Sequence, residues 1–169
     1  MKMDLDTAIG IVEKQEAQLQ FPHFSRKDAW DLGNVMVGEI FDKNYAISAS
    51  IRLISGLIVF QYFPEGTNLN NNFWMTRKFN TLRDKEASSL LTTLRWQRNG
   101  EDLAQQGLSP QEYVMSGGGF PIVVKGTGLV GAALVSGLPH LQDHDILVEL
   151  ISRYLGVSGV PRLPLDSGL

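Results

Sequence analysis

Two short turns built on glycine, each set between two runs of strand-forming residues, restrict the fold of this chain more than any other feature. The first turn, Ser55-Gly56, separates residues 46–54 from residues 57–63. Apolar and polar side chains alternate in 46–54, which predicts a half-buried strand, whereas 57–63 is apolar on both faces. Two such runs joined by a tight turn predict an antiparallel hairpin.

A second hairpin is predicted in the glycine-rich part of the chain, where seven glycines lie between residues 117 and 137. Two runs rich in strand-forming residues, 120–125 and 129–135, lie among these glycines, and a Gly-Thr-Gly turn at 126–128 joins them. Because strand-forming runs alternate with the glycines, the segment is not of low complexity. We therefore predict a second antiparallel pair of strands here.

Helical periodicity occurs before, between and after the two hairpins. It predicts helices over residues 4–20, 26–42, 73–86 and 88–96 and after Pro139. Ser25 is a predicted N-cap with Asp28 three residues further on. Gly33 and Gly38 are poor helix formers, and their presence in the second helix indicates close packing.

These elements predict the order ααββαα(β)ββα, with a fifth strand left open before the second hairpin. Hairpins supply antiparallel pairing, and the helices must cover the faces of the resulting sheet. We therefore predict an α+β fold. A length of 169 residues favours one domain, spanning 1–169.

Composition excludes several classes of site and partner. Cysteine is absent, which excludes disulfides, thiolate metal sites and cysteine nucleophiles. The chain has 15 basic and 18 acidic side chains, for a net charge of −3. This balance argues against a nucleic-acid partner, because nucleic acids bind basic faces.

The sequence also argues against a signal peptide and a membrane span. Asp4 and Asp6 lie where a signal peptide would need its apolar segment. The longest apolar stretch, residues 46–63, is interrupted by Arg52 and Gln61, which is typical of strands rather than of a membrane helix. We expect a cytoplasmic protein with no membrane partner.

Residues 72–81, NFWMTRKFNT, combine an aromatic ring with two cations. Trp74 and Lys78 are one helical turn apart and share a face, and Arg77 lies beside them. A tryptophan ring next to permanent cations can hold an anionic or planar ligand. The alternative is a helix with a solvated basic face and a tryptophan at a packing edge.

The run Gly117-Gly118-Gly119-Phe120 is a second candidate ligand segment. Bare glycine backbone lets N–H groups approach a ligand closely. The run lacks the spacing of either nucleotide-binding glycine motif and leads into a strand rather than a helix. The alternative is a flexible turn that feeds an edge strand.

His140, Asp143 and His144 lie together at the start of the last helix. Two histidines four residues apart can bind a metal. No third ligand is evident, however, and a helix N-terminus disfavours cations, so we predict no metal site. Asp143 also fits this terminus as an acid that compensates the helix dipole, and without a G-x-S-x-G motif a serine hydrolase is not indicated.

Together these segments resemble a known family. A Trp/Arg/Lys helix precedes a G-G-x-P-I strand, the segment GLVGAALVSG and an acidic last helix. This order resembles the heme-binding or heme-degrading-domain family, which includes HbpS-like, GlcG-like and PduO C-terminal-like proteins. The N-terminal segment FSRKDAWDLG is closest to the heme-degrading-domain branch, and the resemblance covers roughly residues 25 to 155.

The resemblance implies a profilin-like fold, with a five-stranded antiparallel sheet between helices in α/β/α layers. It also implies a homo-oligomer, a dimer or higher, with pockets near the subunit contacts. Heme is a cofactor of some relatives, but no iron ligand carries over to His23, His140 or His144. The ligand-facing candidates that carry over are Trp74, Arg77, Lys78, Gly117, Gly118, Gly119, Phe120 and Asp143.

The leading functional hypothesis is a homo-oligomer that binds a small anionic ligand, either a carboxylated metabolite or a tetrapyrrole. Arg77 or Lys78 would pair with a carboxylate, Trp74 would form a wall, and the glycine loop would donate backbone N–H groups. One alternative is an enzyme at the same pocket with Asp143 or His144 as general base. The other is a structural or partner-binding scaffold without catalytic activity.

The C-terminal tail carries a separate expectation. Seven of the 14 residues in 156–169 are Gly, Pro or Ser, yet the segment also contains Val160, Leu163, Leu165 and Leu169. Apolar residues on an extended segment become ordered by docking on another surface. Of its own chain and a neighbouring subunit, we expect the neighbouring subunit to provide that surface.

Overall fold

The computed structural model describes residues 2–169 of the chain. The elements are α1 (Leu5–Gln18), α2 (Arg26–Lys43), β1 (Ser48–Leu53), β2 (Ile58–Tyr62), α3 (Leu69–Lys85), α4 (Ser89–Asn99), β3 (Gly119–Val124), β4 (Gly128–Ser136) and α5 (His140–Leu155). None of the helices in this described part of the chain is long and apolar enough to cross a membrane.

Capping residues set the starts of the long helices. At α2 the Ser25 hydroxyl accepts the Asp28 N–H at 3.1 Å and the Asp28 carboxylate accepts the Ser25 N–H at 2.7 Å, which is the predicted cap. Helix α3 begins at Leu69, ahead of the predicted start at residue 73, because the Asn68 side chain caps its first turn. The asparagine-rich segment is therefore part of the helix.

The four strands form one antiparallel sheet in the order β2-β1-β4-β3. Both predicted hairpins are confirmed, since β1 pairs with β2 and β3 pairs with β4. The two hairpins are joined through β1 and β4, which pair from Ser48↔Ser136 to Leu53↔Gly131. The strands that are most distant along the chain thus form the centre of the sheet.

The expected fifth strand is wrong for residues 2–169, which form a four-stranded sheet. A single bridge takes its place at the free edge of β3, where the Phe21 N–H donates to Val123 O at 2.8 Å and the Lys125 N–H donates to Phe21 O at 2.9 Å. Only a short connection separates α1 from α2 at this point, and Pro22 within it has no N–H to donate. The bridge cannot lengthen into a strand.

Helices cover both faces of the sheet, which gives the expected α/β/α layers. On one face α2 and α5 bury the main core with side chains such as Ile51, Phe120 and Val135. On the other face α3 packs Met75, Phe79 and Leu82 against β4. Strand β1 is consequently buried on both faces, which corrects the prediction of a half-buried strand. The alternation in its sequence arises because polar side chains on one face bind groups of α3.

The C-terminal tail packs on its own chain, and a contact with a neighbouring subunit stays a prediction. Leu163 is buried in a cluster between α1 and α4. The Pro161 carbonyl accepts a hydrogen bond from Gln15 of α1 at 2.8 Å, and Arg162 forms ion pairs with Asp145 and Glu149 of α5. The tail therefore packs against α1, α4 and α5.

Candidate functional site

Four segments enclose a cavity of about 370 Å³ beside the end of β4. They are the N-terminal half of α3, the loop before β3, the turn after β4 and the start of α5. Side chains that line it include Trp74, Lys78, Ser116, His140 and Asp143. The one-turn spacing places Trp74 and Lys78 on the same face of α3, and the turn after β4 brings Asp143 opposite them.

Lys78 and Asp143 form a buried ion pair at this cavity. Lys78 Nζ lies 2.9 Å from Asp143 Oδ2 and also donates to the Val135 carbonyl at 2.9 Å. The other carboxylate oxygen of Asp143 accepts the Leu138 N–H at 3.0 Å. The two side chains are 3% and 2% exposed. Removing one partner of such a pair leaves a buried charge and costs about 3–5 kcal/mol.

Burial shifts both groups towards their neutral forms. It raises the pKa of Asp143 and lowers the pKa of Lys78, because each charged form loses its hydration. The attraction between the two groups opposes both shifts. The pair has no net charge, whichever of the two groups holds the shared proton. The cavity wall formed by Lys78 and Asp143 is therefore polar but neutral.

Gly118 makes room for this pair. Its φ is +119°, and a Cβ placed there would lie 2.5 Å from Lys78 Nζ, 2.9 Å from Val135 O and 3.1 Å from Asp143 Cβ. Any other residue would therefore be strained and would displace the ammonium group. The role of this glycine is close packing around Lys78.

The rest of the glycine run is engaged inside the protein. The Gly117 N–H donates to His140 Nδ1 at 3.3 Å and the Gly119 N–H donates to Ser89 Oγ at 3.0 Å. Phe120 is fully buried in the main core. The structure places Gly117, Gly119 and Phe120 against buried groups of the protein and not among the residues that line the cavity, because the run leads directly into the buried strand β3.

Arg77 lies outside the cavity and supports one of its walls. Its guanidinium carbon is 4.2 Å from the centre of the Trp74 ring, and Nη1 donates to the Pro110 carbonyl at 3.4 Å. This stacking holds the indole against the cavity. The structure places Lys78, and not Arg77, among the lining residues.

The two histidines of α5 have different surroundings. His140 lines the cavity, where Nδ1 accepts the Gly117 N–H and Nε2 donates to the Leu169 carbonyl at 3.2 Å. His144 lies one turn deeper, and its Nε2 bonds to Gln15 Oε1 at 2.8 Å. Burial lowers the pKa of His144 to about 3. His144 is not among the residues that line the cavity, and its role as a base stays a prediction.

Sequence reasoning missed His140 and Ser116 as cavity residues. His140 was considered only as a metal ligand, and within residues 2–169 no group of three or more metal-binding side chains occurs. Ser116 directly precedes the glycine run and is buried with it. Their positions in the sequence could have indicated this role. Ser116 directly precedes the glycine run and His140 begins α5, and these segments enclose the Lys78–Asp143 pair.

A family model described as haem-degrading protein HbpS-like matches residues 24–152. The chain belongs to this HbpS-like family. A UPF0303 protein of Rhizobium rhizogenes (strain K84) is 35% identical over 154 residues, which cover 91% of this chain and 94% of the relative. The family predicted from the Trp/Arg/Lys helix, the glycine strand and the last helix is confirmed.

Solved structures share the fold of this HbpS-like chain. The crystal structure of the Ybr137w protein has a TM-score of 0.80 at 22% identity and covers 94% of this chain and 91% of its own. A crystal structure of a PduOC–heme complex has a TM-score of 0.59 at 18% identity, and the match covers 82% of this chain and 99% of the chain in that complex. At these identities the likeness concerns the fold.

Proposed function

We propose that this HbpS-like protein binds a small carboxylated metabolite in the cavity that Trp74, Lys78 and Asp143 line. The observation that carries the proposal is the buried Lys78 at the cavity, because a lysine is almost never buried unless it is paired and held in place. A volume of about 370 Å³ lies within the range of about 300–1,000 Å³ that is typical of small-molecule sites.

The surroundings of the cavity favour an anionic ligand. The cavity lies at the N-terminus of α5, where no side chain caps the first turn. The first N–H groups of a helix lack partners within it, and the positive end of the helix dipole attracts anions. The acidic lining residue, Asp143, is paired with Lys78 and with the Leu138 N–H, so it offers little repulsion.

Heme does not fit the groups that line this cavity. Heme iron is held by histidine, cysteine, methionine or tyrosine, and the lining residue of that kind is His140. Both of its ring nitrogens are already hydrogen-bonded, to Gly117 and Leu169. Of the two ligand classes that we considered, the groups present favour the carboxylated metabolite.

The test is calorimetric titration of acetate, glycolate and succinate at constant ionic strength, with chloride as reference. We expect at least one carboxylate to bind saturably. In the double variant Lys78→Met/Asp143→Asn its affinity should fall by about 1.5 kcal/mol or more, the low end for a hydrogen bond to a charged group. Changing both partners avoids an unpaired buried charge, so this variant should fold.

Lys85→Met is the matched control, because Lys85 lies on the same helix with its side chain 39% exposed. It should bind like the wild-type protein. Unchanged carboxylate affinity in the double variant would contradict the proposal. The proposal would equally be contradicted if the wild-type protein bound none of the carboxylates and showed a heme absorption band.

One observation supports an enzyme as the second candidate. Burial raises the pKa of Asp143 above its ordinary value, which brings a carboxylate closer to the range in which it can move protons near neutral pH. Asp143 would then be the general base and Lys78 would stabilise negative charge. Chemical change of the bound carboxylate, followed by mass spectrometry and lost in Asp143→Asn, is the expected sign of this activity.

We also propose that the chain self-associates. Most of the large apolar side chains that remain exposed lie between residues 30 and 73, and Trp30 and Phe41 of α2 are 58% and 64% exposed. Apolar surface of this kind is typical of interfaces. Light scattering at micromolar concentration should give the mass of a dimer or a larger assembly, and a monomer would contradict this part of the proposal.

A further inference from the structure

Arg52 of β1 is a buried cation without an anionic partner. It is 5% exposed, and among residues 2–169 no carboxylate forms an ion pair with it. Its guanidinium donates instead to neutral oxygens, including Thr76 Oγ1 at 2.8 Å and Ser50 Oγ at 3.2 Å. Buried charges are usually paired, so the site has an uncompensated positive charge.

Arg52 orients two carboxamide side chains. Its Nη2 donates to Asn72 Oδ1 at 3.0 Å and to Gln61 Oε1 at 3.4 Å, and the Ser50 hydroxyl also donates to Gln61 Oε1 at 3.0 Å. Since each amide oxygen faces the guanidinium, each amide NH2 group is directed away from it. Neither NH2 group donates to any group of residues 2–169.

These two amides line a second cavity, of about 360 Å³, between the end of β2 and the first turn of α3. It is open to the surface, since Gln61, Phe63 and Leu69 are exposed there. Its other lining residues are Phe63, Asn68 and Leu69. No acidic residue lies in the first turn of α3. The cavity therefore combines polar N–H donors, a buried positive charge behind them and two apolar side chains, and it is separate from the Lys78 cavity on α3.

We propose that this second cavity binds a carboxylate that carries an apolar group. The carboxylate accepts hydrogen bonds from the NH2 groups of Gln61 and Asn72 and compensates the charge of Arg52. The apolar group packs against Phe63 and Leu69. Arg52 is a positioning residue, since it acts on the ligand through the two amides. This inference does not depend on the proposed function of the Lys78 cavity.

The test uses benzoate as the probe, measured by calorimetric titration of the full chain. Benzamide has the same ring without the charge, and acetate has the charge without the ring. Benzoate should bind saturably. Benzamide should bind at least about tenfold more weakly, the factor expected for one lost charged hydrogen bond. Acetate should also bind at least about tenfold more weakly, because it lacks the ring that packs against Phe63 and Leu69. Absence of saturable benzoate binding, or equal binding of benzamide, overturns the proposal.

Gln61→Glu and Asn72→Asp are the decisive variants, because each places a carboxylate beside Arg52 with almost no change in shape. Each should raise the melting temperature and weaken benzoate binding at least about tenfold. Asn70→Asp is the matched control, since it adds the same charge at an exposed position of α3 that lines the other cavity. It should change the affinity for benzoate less than about threefold.

Two further measurements separate this site from the alternatives. The Lys78→Met/Asp143→Asn variant should keep benzoate binding, and its loss there would place benzoate in the other cavity and overturn the inference. A carboxylate could also come from a neighbouring copy of the chain. Wild-type protein that binds no benzoate, together with a Gln61→Glu variant of lower mass in light scattering, would identify that source and overturn the proposal of a free ligand.

Discussion

His144 is held neutral by its surroundings. The imidazole is buried, Nε2 is bonded to Gln15, and burial lowers its pKa to about 3. An unperturbed histidine has a pKa of about 6.5. Between these two values the unfolded chain binds a proton that the folded chain excludes. His144 therefore contributes stability that is present above about pH 6.5 and is lost as the pH falls towards 3.

Glu16 has the opposite effect on how the stability of the fold depends on pH. Its carboxylate faces the N-terminus of α4, where it accepts the Ser88 N–H at 3.3 Å, and burial raises its pKa from an ordinary 4.5 to about 7. Between these values the folded chain holds a proton that the unfolded chain has released. The contribution of Glu16 is therefore present below about pH 4.5 and is lost as the pH rises towards 7.

We predict that these two contributions largely cancel between about pH 4.5 and 6.5 in the wild-type protein. Glu16→Gln removes one of them, so its free energy of unfolding should fall with acidification by about 1.4 kcal/mol per pH unit more steeply than that of the wild type. Urea unfolding across this range measures the slopes. Glu13→Gln, at a half-exposed position of the same helix, should keep the wild-type slope, and equal slopes in Glu16→Gln and wild type would contradict the prediction.

Part of the site could be predicted one residue at a time. Trp74 and Lys78 come together because helical spacing is local and visible in the sequence. Asp143 was singled out at the start of the last helix, but its meeting with Lys78 depends on the long-range pairing of β1 with β4. His140 was missed as a lining residue, because its neighbours Gly117 and Leu169 are distant along the chain. Only tertiary packing brings these residues together.

At the level of elements, local patterns predicted the helices and both hairpins, and long-range packing decided the rest. A residue such as Ser50 alternates with apolar neighbours and reads as exposed, yet α3 covers it. The element order left a fifth strand open and the family resemblance implied one, but the short connection around Phe21 allows only a bridge. The alternation of polar and apolar residues shows which side chains are polar. It does not show whether a helix covers the polar face of the strand.

Two glycines of α2 give a direct test of helix packing. A Cβ at Gly33 would lie 2.3 Å from the Phe60 ring of β2, whereas at Gly38 it would meet nothing within 4 Å. Gly33→Ala should therefore destabilise the protein by about 1–3 kcal/mol through overpacking. Gly38→Ala should stabilise it by up to about 1 kcal/mol through helix propensity. Thermal or urea unfolding measures both, and shifts of the same sign would contradict this account.

At the scale of the whole molecule, the C-terminal tail packs against segments near the start of the described chain. It runs from α5 across to the α1 and α4 layer, where Leu163 is buried and the Ser167 carbonyl accepts the Met3 N–H at 3.0 Å. These contacts join segments from both ends of the described chain. The tail thus belongs to the intramolecular core, even though its composition is typical of a flexible segment.

Leu163 and Leu165 test this role of the tail. Leu163 is 6% exposed and Leu165 is 49% exposed. Leu163→Ala should lower the free energy of unfolding by about 2 kcal/mol, and Leu165→Ala should change it by less than about 0.5 kcal/mol. Neither should alter the mass found by light scattering. A smaller particle in Leu163→Ala would show that the tail holds subunits together instead.

Gly118 lies where three elements meet, with Lys78 of α3, Val135 of β4 and Asp143 of α5 all within 3.1 Å of the place where a side chain would begin. The lysine, the aspartate and the glycine therefore depend on one another sterically. A methyl group at position 118 would be strained whatever residue stands at 78, because φ is +119° and the Val135 carbonyl oxygen also lies 2.9 Å away. A shorter residue at 78 would leave the carboxylate without its partner. Residues at the rim of the cavity can therefore be exchanged one at a time, whereas Gly118 must stay glycine and Lys78 and Asp143 must change together.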